Sequence, residues 1–259
     1  MNDTPTPPPV IPTAPPPYTN PLTLPLGQHP DDQVPIPGLV AAIEAILRQP
    51  RRVVYHLSQQ SRSRIVILLL VTAMMCSVIY GVVVGTFSGG QQLWSAPVKI
   101  AGGLLISGLI CLPSLYIFSC LSGSQARLGE VFGLLAGLMA LMTILLIGFA
   151  PVAWVFSQST ESVAVMGSLH LLFWFIATAF GLRFLCRGFG HLKAAHGGVL
   201  FMWTTIFLFV AVQMTTALRP IVGTAPTFLP TEKKFFLAHW ADCLDGRGTK
   251  SKASESYDR

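Results

Sequence analysis

Polar side chains able to do chemistry are few in this chain, and two of them lie deep in apolar stretches: His170 within 163–182 and Gln213 within 199–218. An imidazole in hydrocarbon, near an amide on another helix, can relay a proton or hold a polar solute, and such groups commonly line a substrate or ion path. The plainer alternative is a neutral imidazole hydrogen-bonded to a neighbouring helix. A coupled transporter usually adds a buried carboxylate, and none of the apolar stretches contains Asp or Glu.

Other chemistry finds no arrangement to support it. His191 and His196 are five residues apart, about 140° around a helix, so they do not share a face as a metal-binding pair at i and i+4 would. They are expected in a solvated loop with Lys193 between them. The five cysteines include no CxxC pair, and they read as small apolar side chains. HExxH, GxSxG, the phosphate-cradling GxxxxGK[ST] and paired carboxylates are all missing from the sequence. A non-enzymatic protein is expected, with no cofactor and no metal.

The elements that would position His170 and Gln213 follow from composition. Apolar residues make up 52% of the chain and charged residues 11%, against about a quarter charged in ordinary soluble domains. The apolar residues form charge-poor blocks of the length that crosses hydrocarbon at about 1.5 Å per helical residue. The fold class predicted is therefore an all-α polytopic membrane protein, a bundle of about five transmembrane helices behind a disordered proline-rich tail. The spans are placed at 65–87, 98–118, 131–156, 163–182 and 199–218, making a transmembrane unit over 65–218, and Lys99 is the full charge within them. Pro113 and Pro151 should kink their helices.

Ahead of the spans, residues 1–37 hold 13 of the 20 prolines, too few large apolar side chains to offset the entropy of ordering. Pro15-Pro16-Pro17-Tyr18 within this tail matches the PPxY form gripped by WW domains. Residues 38–64 then show helical periodicity, with Leu39, Val40, Ile43, Ile46 and Leu47 before Pro50, and Val53, Val54 and Leu57 after it. Two short amphipathic helices broken at Pro50 are predicted. Arg48, Arg51, Arg52, Arg62 and Arg64 cluster beside the first span and are expected to face anionic lipid; packing on the ends of the spans is the alternative.

Basic residues also set the orientation. With the amino terminus in the cytoplasm, the inner side carries Arg127, Arg183, Arg187 and Lys193 beside the five arginines above, while the loops 88–97 and 157–161 have no Lys or Arg. Trp94, Trp154 and Trp203 fall near span ends, where an indole keeps its N–H wet. Residues 219–259 then lie outside, with an aromatic interfacial segment near Phe235, Phe236 and Trp240. The net charge of +6 is explained by topology rather than by nucleic acid. A bacterial inner membrane is favoured over an internal eukaryotic one.

Small residues four apart recur: Gly81 with Gly85, Gly133 with Gly137, Gly103 with Ser107 and Ala177 with Gly181. Such pairs let helix backbones approach closely, and they are read as packing inside one bundle rather than between copies of the chain.

The proline-rich tail, the amphipathic lead-in at Val40–Leu57 and five closely spaced spans resemble the Yip family of five-pass membrane proteins, over roughly residues 38–218. The resemblance implies a membrane-organising, scaffold or partner-recruiting component, with the bilayer and a cytoplasmic protein as partners. A small transporter or channel subunit, with a polar path near Pro113, Pro151, His170 and Gln213, is the alternative.

Overall fold

The computed structural model describes residues 25–88, 92–159 and 163–192, with 202, 203, 205–207, 209 and 210. Among these residues every regular element is helical: α1 Leu39–Arg48, α2 Pro50–Ser58, α3 Arg62–Ser88, α4 Gln92–Leu121, α5 Leu128–Ser159 and α6 Val163–His191. Four of them, α3 to α6, are long and apolar enough to cross a membrane, which marks the chain as an integral membrane protein. The fifth predicted span, 199–218, lies largely outside the described residues. Where it is described it is helical, and Trp203 and Phe207 stack with ring centroids 5.2 Å apart. Trp203 is fully buried, its indole N–H donating to Ser114 Oγ of α4 at 3.2 Å. The expected water-facing indole at this position is thus corrected: a buried N–H needs an acceptor, and a serine on a neighbouring helix supplies it.

The central helix is α5, whose buried side chains run from Val131 to Ala153. It packs against α3 on one side and α6 on the other, while α3 also pairs with α4. Small residues allow these approaches. A Cβ on Gly81 would collide with the backbone of Pro97 in α4, and one on Gly137 would lie 2.5 Å from Phe184 Cε1 of α6. Gly133 receives Leu57 of α2 and Val66 of α3, with Leu57 Cδ2 2.6 Å from its ideal Cβ position. Gly85 is buried on α3, four residues after Gly81.

All four of these helices exceed their predicted bounds, α4 and α6 by the most. α4 begins at Gln92 and includes Pro97, a residue the sequence assigns to a loop. α6 continues to His191, so the expectation of His191 as a loop residue is corrected. Arg183 and Arg187 suggest an end to the apolar block, yet both lie on an exposed face while Phe184, Leu185, Gly188 and Phe189 extend the buried one. His196 lies outside the described residues.

At one end of the bundle α1 and α2 form a cap, with Pro50 as the first residue of α2, where its missing N–H costs nothing. Ala42, Ala45, Ile46, Val53, Val54 and Leu57 are buried beneath it. Residues 25–37, expected to belong to a disordered tail, instead form a strap over this cap with a 3₁₀ turn at Pro30–Gln33. Prolines lack donors, but their carbonyls accept. Arg52 donates to the carbonyls of Val34 at 2.9 Å and Pro35 at 2.6 Å, and Arg64 to that of Pro37 at 2.8 Å. His56 Nε2 also lies 2.8 Å from the Val34 carbonyl. Residues 1–24 lie outside the described residues.

Candidate functional site

All five arginines expected to face lipid have a protein partner. Besides Arg52 and Arg64 on the strap, Arg51 Nη2 lies 3.3 Å from Asp32 Oδ2, and Arg62 Nη1 lies 3.4 Å from Glu130 Oε1 at the start of α5. Arg48 pairs with Glu44 one turn earlier on the exposed face of α1 at 3.2 Å. Arg51, Arg52 and Arg64 tie the strap to the helices beneath it and Arg62 ties α3 to α5, and a guanidinium that bonds carbonyls and carboxylates leaves fewer donors for phosphate.

Within the spans, Tyr80 and His170 bring polar side chains of two helices together. His170, on α6, is buried, and its Nδ1 lies 2.7 Å from the hydroxyl of Tyr80 on α3. The Tyr80 and His170 rings are near-perpendicular at 86°, with centroids 5.7 Å apart. Phe173 of α6 meets His170 edge-on and stacks in turn on Phe149 of α5 at 4.7 Å. The site is therefore an aromatic cluster drawn from three helices, with a single polar bond inside it. Placing a phenol and an imidazole in hydrocarbon is tolerable because each satisfies the other.

One imidazole nitrogen remains. Nε2 of His170 is buried and has no hydrogen-bond partner among the described residues. If Tyr80 donates to Nδ1, then Nε2 carries the hydrogen; if Nδ1–H donates to the phenol, Nε2 is a bare acceptor. In either tautomer an atom able to bond a solute or pass a proton faces the bundle interior.

Of the other residues expected on a polar path, two are described. Pro113 and Pro151 lie on exposed faces of α4 and α5, not toward His170, and Gln213 lies outside the described residues. Among the described residues no group of three His, Cys, Asp or Glu side chains comes together to hold a metal ion. Lys99 is buried on α4, and Thr143 and Ser77 turn their hydroxyls back to carbonyls of their own helices.

Tyr80 is the residue that sequence reasoning missed. Its signal was available: a tyrosine well inside an apolar span needs a partner for its hydroxyl, and His170 is the other polar residue at matching depth. Tyr80→Phe keeps the ring and removes the hydroxyl, leaving both nitrogens of His170 without a partner among the described residues. The expected loss is about 1–3 kcal/mol of stability, read as a lower melting temperature of the purified protein, whereas Tyr80→Phe/His170→Phe recovers most of it.

Comparison of the chain with protein-family models, with curated proteins and with solved structures finds no match.

Proposed function

We propose that the chain is a non-enzymatic membrane component with five spans and a cytoplasmic amino terminus, which organises the membrane or recruits a partner in the manner of Yip-like proteins. The observation that carries this reading is the strap and cap. A proline-rich segment is fastened by arginines to one end of an apolar bundle, so residues 1–24 emerge from a fixed anchor. Presenting a short peptide on a rigid base lowers the ordering entropy a partner must overcome. Central packing agrees, since Leu134, Leu138, Met142, Leu146 and Ala153 fill α5 with apolar volume. The burial of Trp203 and Phe207 supports a fifth helix against α4, which would send residues 219–259 to the face opposite the cap.

The test has two parts. Single-cysteine labelling at residues 20 and 250 is expected to report opposite sides of the membrane, and a photo-crosslinker at Tyr18 is expected to give one discrete protein adduct that vanishes when Pro15, Pro16 and Pro17 are replaced. Same-side labelling overturns the topology, and absence of any adduct overturns recruitment by the tail.

A second reading, a small transporter or channel subunit, is favoured by Nε2 of His170, which is buried with no hydrogen-bond partner among the described residues. It requires solute flux into proteoliposomes that His170→Phe abolishes.

A further inference from the structure

Where the cap meets the bundle, a groove of about 490 Å³ opens between the α1–α2 junction and the faces of α5 and α6. Leu47, Leu141, Leu145 and Phe180 give it apolar walls, and Arg183 and Arg187 of α6 stand at it one turn apart. Both arginines are exposed. They differ from Arg48, Arg51, Arg52, Arg62 and Arg64, each of which has a protein partner: no hydrogen bond or ion pair joins Arg183 or Arg187 to any described residue.

Depth explains what such a groove would take. α6 spans 29 residues, about 43 Å at 1.5 Å per residue, whereas the hydrocarbon core is about 30 Å thick. The last turns of α6 therefore reach the headgroup layer, which brings Arg183 and Arg187 to phosphate level while Leu141, Leu145 and Phe180 lie beside acyl chains. Two guanidiniums at i and i+4 point the same way and can each donate two N–H groups to phosphate oxygens. Two positive charges without a counter-ion among the described residues favour a ligand with net negative charge.

We infer that this groove is a binding site for one anionic glycerophospholipid, its phosphate held by Arg183 and Arg187 and an acyl chain lying along Leu141, Leu145 and Phe180. The site rests on the geometry of α5, α6 and the cap; only its assignment to the cytoplasmic leaflet rests on the topology proposed above. Lipid here would fill the space between cap and spans and so couple the cap's position to leaflet composition.

The full-length protein, purified in mild detergent with equal phosphatidylglycerol and phosphatidylcholine, is examined by native mass spectrometry. One retained phosphatidylglycerol per chain is expected, and Arg183→Gln/Arg187→Gln is expected to lower its retention on the order of tenfold. Arg127→Gln, an exposed arginine at the start of α5, serves as the charge control and retains the lipid. Leu145→Trp keeps both arginines and blocks the groove; it is expected to lose the lipid as well, and it decides the matter even where the double variant fails to fold. Equal retention of phosphatidylcholine, equal loss in Arg127→Gln, or full retention in Leu145→Trp overturns the site. Thermal stabilisation by inorganic phosphate equal to that by the lipid also overturns it, because it reveals a site for a free anion. Labelling that reverses the topology leaves this result intact, so the two failures are told apart.

Discussion

Asp32→Ala is expected to free the strap at residues 25–37 from the cap while leaving the spans folded. Asp32 is 3% exposed, and its Oδ2 accepts both from the backbone N–H of Gly27 at 3.1 Å and from Arg51 at 3.3 Å. Removing one member of a buried pair strands the other, which costs about 3–5 kcal/mol when both are fully enclosed. Because 19% of the Arg51 side chain is reached by solvent, a loss of about 2–3 kcal/mol is the better expectation. Asp32→Asn keeps an acceptor for Gly27 and falls between the two. The measurement is limited proteolysis or hydrogen exchange: cleavage and exchange within 25–37 should accelerate in Asp32→Ala, with fragments of α3 to α6 unchanged. Uniform acceleration through the spans would mean that Asp32 supports the whole fold and that strap and bundle are one cooperative unit.

The strap also illustrates what a sequence hides. Residues 25–37 overturn the expectation of a disordered tail over residues 1–37, to which prolines and few large apolar side chains led. They did not forecast order, because the order comes from carbonyl oxygens, which every residue carries, meeting arginines 17 to 27 positions away. Local pattern served better where burial is local: the periodicity of Leu39–Leu57 and the break at Pro50 coincide with α1 and α2, and four apolar blocks coincide with α3 to α6. It served worst at the ends of α4 and α6. Pro97 reads as a loop residue, yet it lies inside α4 against Gly81; Arg183 and Arg187 read as a terminus, yet one face of α6 stays buried past them. The candidate site divides in the same way. His170 was visible as a polar residue in an apolar block, whereas Tyr80 is 90 residues distant and becomes its partner only because α3 and α6 both pack against α5.

Packing at the α3–α4 contact leads to the last expected result, in which Gly81→Leu separates the two helices. The Cβ of any larger residue at 81 meets the Cα and N of Pro97, which are backbone atoms of an intact helix and cannot rotate aside as a side chain would. The helices must therefore move apart, forfeiting dispersion contacts along their length, and in lipid no hydrophobic effect between helices draws them back. Overpacking of this kind costs about 1–3 kcal/mol in a well-packed core, and a backbone obstacle favours the upper end. Gly102→Leu is the matched control, since an ideal Cβ at Gly102 has nothing within 4 Å; added apolar surface there should leave the melting temperature unchanged. Thermal unfolding of both variants, with the yield of a disulfide engineered between α3 and α4, separates the possibilities. Loss of stability and of cross-linking in Gly81→Leu alone identifies close backbone approach as what holds α3 to α4, and equal behaviour of the two variants would mean that the contact yields at little cost.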